Sequence, residues 1–532
     1  MQQRIKVFTP TEQLVQSEFF VQLSITYEAD HFKVDRQLHS NMPNTKSFFG
    51  AIATQPQNEI LHIIQQRYVD SVDNAKLSKA SIDAILNELD PHSMYIPSQQ
   101  LNEINEDLDG SFQGIGIEFN VLKDTVHVLH VVEGGPSEKA GFKTGDKILQ
   151  VDKHNAVGIK NIEDFKNWVK GPKGTTVEIQ IITGGKKISK KIKRDFIPLP
   201  SLDAFYMIDK NKGYIKLNRF SNNTYKEFFD ALENLTQKGM NQLILDLRDN
   251  GGGILEEAID IIDELVGGDQ MIVYTNGLKN PKKEYKAKRK GIFEEGTIIV
   301  LLNENSASAS EVIAGALQDL DRATIVGRRS FGKGLVQEQF SLSDGSALRL
   351  TTARYYTPLG RSIQKPYDRG IEAYASEVMN RFHLSGNADS SKNNSLEVYT
   401  TSKGKKLYGG GGITPDIVIP FNRFLLDTNL NVLYKNNLLG FFAYNYYMNH
   451  REEIKSFGNA ETFNAQFNLD ANTLSLLIKS AKSTAQFNDV QRQFIKQRFK
   501  ALLGRMEWGQ SASTLVLNTL DETYLKAVQS LN

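Results

Sequence analysis

The chain has no cysteine among its 532 residues. That one absence removes disulfides, thiolate metal sites and thiol nucleophiles together, and it leaves the redox compartment open. Excess charge of either sign is also missing, because 63 Lys and Arg oppose 62 Asp and Glu for a net +1 at pH 7. A bulk electrostatic partner such as nucleic acid is therefore not expected. No run reaches the ~18 continuous apolar residues of a membrane helix. The start, Met1-Gln-Gln-Arg-Ile-Lys-Val-Phe8, lacks the apolar core of a secretion signal, and Phe19-Phe-Val-Gln-Leu-Ser-Ile25 is short and broken by Gln and Ser. As written, the sequence declares no export. Histidine is sparse, with nine in the chain and none between 197 and 365. There is no His-x-x-x-His pair, so neither metal-dependent hydrolysis nor a bound metal or cofactor is expected.

What is present is an ordinary globular composition, 40% hydrophobic and 23% charged. The length predicts roughly two to four domains. Residues 1 to 50 show no sustained period and stay unassigned. From 51 to 112 the pattern is helical, with Ile60, Ile63, Ile64, Tyr68 and Val69, then Ile82, Ile85, Leu86 and Leu89; Asp90-Pro91-His92 ends it. Residues 113–196 open on Gly114-Ile115-Gly116-Ile117 and continue as strands near 126–132, 145–151 and 176–182, with helices at 135–141 and 162–169. From 197 to 420 strand and helix signals alternate, an α/β signature. Within that span Lys279 to Lys290 carries seven Lys or Arg residues and reads as a solvated loop. Residues 366–410 are polar and read as a loop or flap. Residues 421–532 are helical, and the basic amphipathic stretch from Val490 to Leu503 reads as a packing or dimer face.

The α/β span is organised around Asn303-Glu-Asn-Ser-Ala-Ser-Ala-Ser-Glu311. An apolar strand, Thr297 to Leu302, leads into it and an amphipathic helix follows, so serines sit at a positive helix end beside free N–H groups. A plain Ser-capped helix explains the stretch as well. If a serine here is a nucleophile, the missing histidines require another base, and the Ser–Lys variant of the triad logic supplies one. The candidate is Lys333 in Ser330-Phe-Gly-Lys-Gly-Leu-Val-Gln337, with Gln337 on the same face of an extended chain. A neutral lysine base needs its pKa lowered by about three units, which costs roughly 4 kcal/mol and can come from desolvation. The same stretch mimics a phosphate-binding loop, Gly327-Arg-Arg-Ser-Phe-Gly-Lys333, but position 334 is Gly, so the magnesium-binding hydroxyl is missing and no nucleotide is expected. Gly251-Gly252-Gly253 after Asp246-Leu-Arg-Asp-Asn250 presents unobstructed N–H groups, and Gly252, Gly253 and Ala309 are the candidate oxyanion donors. Arg248 and Asp249 read as braces of that loop.

Taken in order, these motifs resemble the carboxy-terminal processing proteases, the tail-specific serine peptidases with a PDZ domain and a Ser-Lys pair, and the long helical C-terminus resembles their Bacteroidetes-type members. The likeness spans about 58–420 and extends through Leu348 to Ile363 and Gly412-Ile-Thr-Pro-Asp416. It implies a multidomain α+β protein: a ClpP/crotonase-like α/β peptidase core, a PDZ domain and helical terminal regions. It places the nucleophile at Ser308, the base at Lys333 and the orienting residue at Gln337. Gly114, Ile115, Gly116 and Ile117 would offer N–H groups to a substrate's C-terminal carboxylate, with the tail added as a strand. The implied activity is ATP-independent serine endopeptidase cleavage near the C-termini of unfolded or tail-exposed proteins. A homodimer and an adaptor or envelope partner are compatible with it. Members are usually exported or membrane-anchored, which points to the cell envelope or periplasm although this start shows no signal. Many members have Pro where Gly251 stands, and Gly preserves the N–H array. The alternatives are a non-catalytic PDZ scaffold and a crotonase-like acyl-CoA enzyme.

Overall fold

The computed structural model describes residues 56–384, 397–422, 428–434, 437–480 and 487–532. The unassigned segment 1–50 lies outside the described residues. The chain divides after Ala84 into two compact units. The first contains α1 (Pro56–Arg67) and most of α2 (Asn74–Asn87), the two helices expected from the periodicity.

In the second unit the last residues of α2 run into a turn built on Asp90. The Asp90 carboxylate accepts the backbone N–H of His92 (2.8 Å), that of Ser93 (2.9 Å) and the Ser93 hydroxyl (2.6 Å). Strand β1 (Met94–Ile96), helix α3 (Ser98–Asp109) and strand β2 (Ser111–Gly114) follow. The next domain contains β3 (Ile117–Leu122), β4 (Thr125–Val131), α4 (Pro136–Lys139), β5 (Lys147–Val151), β6 (His154–Asn155), α5 (Ile162–Val169), β7 (Thr176–Thr183) and β8 (Lys186–Lys193). Its sheet runs β3-β4-β5-β7-β8, so β3 is an edge strand. Alternation along β7 buries Val177, Ile179 and Ile181 beneath α5, whose Phe165 is fully buried. Strand β9 (Asp195–Pro198) pairs antiparallel with β2, from Ser111 opposite Pro198 to Gly114 opposite Asp195. The domain thus enters and leaves through one two-stranded neck.

Beyond the neck come β10 (Leu202–Met207), β11 (Lys212–Leu217), α6 (Thr224–Gln237), β12 (Gln242–Asp246), α7 (Leu255–Asp263), β13 (Met271–Asn276), β14 (Lys283–Lys286), β15 (Thr297–Leu302), α8 (Ala309–Asp319) and β16 (Ala323–Gly327). Then follow β17 (Leu335–Ser341), β18 (Ala347–Tyr356), α9 (Ile371–Leu384), β19 (Val398–Thr400), β20 (Lys406–Tyr408) and β21 (Ile417–Val418). The main sheet runs β10-β11-β12-β15-β16-β21, and from β11 to β21 it is parallel. Helices α6, α7 and α8 cover one face, with Phe228, Ile261 and Ile313 fully buried among Leu243, Leu245 and Val300. Burial on both faces explains the unbroken apolar runs of β12 and β15. A second sheet holds β1 and β13 along one edge of β18 and β17 along the other.

The described part of the polar stretch 366–410 is not a simple loop. It forms α9 and the β19–β20 hairpin, because α9 lays Tyr374, Glu377 and Arg381 against the lysine-bearing segment and gains there what its own weak apolar face lacks. The C-terminal helices α10 (Thr428–Tyr434), α11 (Leu438–Lys455), α12 (Ala460–Gln466), α13 (Ala471–Ser480) and α14 (Asp489–Asn518) share a core of Leu439, Tyr447, Phe463 and Phe499. The expected packing face within 490–503 supplies Ile495, Phe499 and Leu503 to it. The last helix, α15 (Glu522–Ser530), joins the peptidase core instead: Tyr524, Ala527 and Leu531 cover Tyr214, Ile244, Ile299 and Leu301 on the second face of the main sheet. Among the described residues no helix is long and apolar enough to cross a membrane.

Candidate active site

The turn between β15 and α8 holds three serines in different states. Ser306 Oγ donates to the Leu247 carbonyl (2.8 Å) and accepts from the Asn303 N–H (3.0 Å), and Ser310 Oγ donates to the Asn250 carbonyl (2.9 Å). Both are fully buried. The Ser308 hydroxyl donates to nothing among the described residues, so its proton is free for a base. Its backbone is strained at φ 55° and ψ −115°, a region a non-glycine residue occupies only when its surroundings dictate it. Those surroundings are the Glu311 carboxylate, which takes the Ser308 N–H (2.9 Å), and the Tyr355 hydroxyl, which faces the Ser308 carbonyl (3.1 Å).

Glu311 also fixes the lysine. Its carboxylate accepts the N–H of Lys333 (2.8 Å), the N–H of Gly332 (2.7 Å) and the Ser330 hydroxyl (2.5 Å). The single phenol proton of Tyr355 is shared between the carbonyls of Ser308 and Lys333. One buried acid and one buried phenol therefore tie the nucleophile turn to the lysine turn. Burial pushes the Glu311 carboxyl up to about 7, against the pull of its hydrogen bonds. Four donors on two oxygens suit the ionised form.

Lys333 Nζ donates to Gln337 Oε1 (2.9 Å), and Gln337 Nε2 donates to the His92 carbonyl (2.7 Å). The expected Lys333–Gln337 pairing is thus present, and its far end is held by the Asp90–Ser93 turn. Burial lowers the Lys333 pKa, helped by the Arg349 charge and opposed by Asp90 and Glu311. The His92 ring contacts the Tyr374 hydroxyl (2.7 Å) and is held neutral, near pKa 4, by burial and by Lys333. Lys333 runs directly into β17 rather than a helix, so the look-alike phosphate loop has no helix N-terminus to offer.

The glycine turn lies against the serine turn. A Cβ on Gly252 would come within 2.7 Å of both Ser308 Cβ and the Ala307 carbonyl, and one on Gly253 within 2.0 Å of the Phe220 carbonyl. Only glycine fits either place. Of the three candidate oxyanion donors, Gly252 is corrected: its N–H donates to Asn250 Oδ1 (2.9 Å) in an Asx turn, so it contributes space rather than a free donor. The N–H groups of Gly253 and Ala309 have no acceptor among the described residues. Arg248 and Asp249 brace the loop, as expected: Asp249 Oδ1 accepts from the side chains of Asn303 and Asn305 (2.8 Å each), and Arg248 pairs with Asp246.

In the 113–196 domain, Gly114 belongs to the neck, Ile115 is a core side chain and Gly116 takes φ 74°. The N–H groups of Ile115 and Gly116 have no acceptor among the described residues. Ile117 opens the edge strand β3, where Phe119 meets Phe165 of α5 at 4.5 Å.

Sequence reasoning missed Glu311, Tyr355 and His92. A signal existed for Glu311, since Ser308-x-x-Glu311 is a capping-box spacing. None existed for His92, which the pairing of β1 with the distant strand β18 brings to the lysine.

Comparison with known proteins matches residues 211–373 to peptidase family S41, residues 113–193 to the PDZ domain and residues 429–509 to a family of unknown function (DUF8443). A carboxy-terminal-processing protease of Bartonella bacilliformis is 37% identical over 313 residues, covering 58% of this chain and 71% of that protein. The carboxy-terminal processing protease CtpA of Bacillus subtilis is 33% identical over 310 residues, covering 58% and 66%. A probable CtpA-like serine protease of Staphylococcus epidermidis is 34% identical, and the alignment spans 62% of its length. Among solved structures, a photosystem II D1 C-terminal processing protease is 28% identical, covers 60% of this chain and 96% of its own, and has a TM-score of 0.33.

Proposed function

The chain belongs to peptidase family S41, among the carboxy-terminal processing serine proteases, and from that premise we propose that Ser308 and Lys333 cleave peptide bonds in proteins whose C-terminal tails the PDZ domain captures. Ser308 Oγ attacks the scissile carbonyl carbon while its proton passes to neutral Lys333 Nζ. The tetrahedral oxyanion is met by the Gly253 and Ala309 N–H groups. The ammonium of Lys333 then protonates the leaving amine, and the C–N bond breaks to leave an acyl-Ser308. Water, deprotonated by the same lysine, releases the shortened product. Gln337 holds the amine without adding a charge that would raise its pKa. No nucleotide enters any step.

A peptide tail fits the edge of β3 as an added strand, its carboxylate on the free N–H groups of Ile115 and Gly116. Unfolded or tail-exposed proteins are the substrate class this allows, since only an extended end can add to an edge strand.

The observation that carries the reading is the pairing of Ser308, the one of the three turn serines whose hydroxyl donates to nothing among the described residues and whose backbone is strained, with a desolvated lysine tied to it through Glu311. The test compares wild type, Ser308→Ala and Lys333→Ala on an unfolded protein with an apolar C-terminal tail. Turnover is expected to vanish in both variants while tail-peptide binding persists. Turnover in either at the wild-type rate sinks the mechanism, and binding without turnover in wild type would make the protein a scaffold.

A further inference from the structure

The turn that faces Ser308 is anchored from the far end of the chain. Arg248 Nη1 donates to both oxygens of Asp521 at 2.8 Å, while Arg248 Nε and Nη2 hold Asp246 at 2.9 and 2.6 Å. Asp246 is fully buried and also accepts the Tyr214 hydroxyl (2.7 Å). Arg248 therefore sits between a carboxylate of the main sheet and one at the start of α15, where Asp521 caps the helix by accepting the Tyr524 N–H (2.7 Å).

Two residues beyond Arg248 stands Asn250, the template for the serine turn. Its carbonyl accepts the Ala307 N–H (3.0 Å) and the Ser310 hydroxyl (2.9 Å), and its side chain sets the Gly252 conformation. The Leu247 carbonyl, on the other side of Arg248, holds Ser306. A shift of Arg248 thus moves both the acceptors that shape the serine turn and the glycines beside it. Asp246 fixes Arg248 to the end of its own strand. Asp521 fixes it against an independent element, whose position is set by Tyr524, Ala527 and Leu531 on the sheet face.

We propose that Asp521 is a positioning residue for peptide-bond cleavage: the cap of the last helix holds Arg248, and through it the glycine turn and the Gly253 and Ala309 donors, in the geometry the oxyanion needs. The inference rests on the reading of Ser308 as nucleophile. It makes the C-terminal region part of the catalytic apparatus, because a donor displaced by a fraction of an ångström loses most of its effect on the transition state and little of its effect on substrate binding.

The side chain allows the structural and positioning roles to be separated. Asn caps a helix about as well as Asp but carries no charge for Arg248, whereas Glu keeps the charge. Full-length Asp521→Asn, Asp521→Ser and Asp521→Glu are compared with wild type and Ser308→Ala. The measurements are kcat and KM on the unfolded tail-bearing substrate, affinity for a peptide boronate that mimics the tetrahedral oxyanion, and the thermal midpoint. Asp521→Asn is expected to lower kcat and boronate affinity together by on the order of tenfold, below the roughly 10²-fold cost of a 1 Å misplacement. KM and the midpoint should hold, and Asp521→Glu should recover most of the loss. Wild-type kcat in Asp521→Asn, or losses in both neutral variants that follow the folded fraction, overturns the inference. Turnover by Ser308→Ala would instead sink the nucleophile assignment, so the two failures are distinguishable.

Discussion

Glu311 is the residue through which the two halves of the site meet, and its four donors make it sensitive to substitution. Gln at 311 has one acceptor oxygen and two N–H donors, so part of the Ser308, Ser330, Gly332 and Lys333 set would face a donor. Each buried group left unpaired costs about 1–3 kcal/mol. Glu311→Gln is expected to lower kcat well beyond tenfold with tail binding intact, as steady-state kinetics and peptide titration would show. The raised pKa has opposite consequences for stability and activity. As an acid held up near 7 against an unfolded value of 4.5, Glu311 adds stability below 4.5 that is lost as pH rises through 7. The ionised form is the one that accepts all four bonds, so activity should instead fall as pH drops through 7, without unfolding by circular dichroism. Lys333 titrates in the same profile, and Arg349 helps hold it down. Arg349→Gln should move the lysine limb of kcat/KM to higher pH; an unmoved limb would remove Arg349 from the account.

At the scale of elements, α11 is docked on the PDZ domain through His127, whose Nδ1 lies 3.0 Å from the Tyr444 hydroxyl, and through Met448, which fills the space beside Gly145. Burial, then Lys147, lowers the His127 pKa to about 4, with Asp124 opposing. The sign is that of a histidine held neutral. The unfolded ring takes a proton near 6.5 and the folded one near 4, so its stability is complete above 6.5 and is lost as pH falls through that window. Hydrogen exchange at pH 5 should therefore deprotect β4 and α11 relative to pH 7.5, and Tyr444→Phe should reduce the difference. Equal protection at both values would show that the contact does not hold the two elements together. Helix α9 acts on the other side of the site. Arg381 donates to the carbonyls of Ser330 (2.6 Å) and Phe331 (3.2 Å), and Lys365 lies 4.0 Å from the ring centres of both Phe331 and Tyr374. The lysine turn is clamped from outside as well as by Glu311.

For the molecule as a whole, the main sheet needs two covers, and the chain supplies them from separate parts of its sequence. Helices α6 to α8 come from between the strands, but the second face waits for α15, more than 190 residues after β16. Removing residues 521–532 would expose Tyr206, Tyr214, Ile299 and Leu301 as an apolar patch. The truncated chain is expected to aggregate, read as loss of soluble monomer or oligomer by size-exclusion chromatography. Leu531→Ala, at a site 6% exposed, should cost about 2–3 kcal/mol in a denaturant titration, the low end for a core leucine because it lies at a chain end.

The sequence by itself determined whatever a single element or a local spacing can encode. The apolar runs of β12 and β15, the helix beginning at Ile162, the glycine turn and the Gly-flanked lysine were all legible there. The resemblance named Ser308, Lys333 and Gln337; the Glu311 carboxylate accepts the backbone N–H groups of the first two, and Lys333 Nζ donates to Gln337. The tertiary structure alone decided what long-range pairing creates. Ser306 and Ser310 are indistinguishable from Ser308 as residues, and only the carbonyls of Leu247 and Asn250 occupy their hydroxyls. Gly252 looked like a donor until Asn250 took its N–H. His92 reached the lysine through the β1–β18 pairing, α9 formed in a polar stretch because the lysine turn gave it partners, and Asp521 found Arg248 across the sheet. Local patterns report which face of an element is apolar. They carry no information on which distant element that face, or a buried hydrogen-bond donor, will meet.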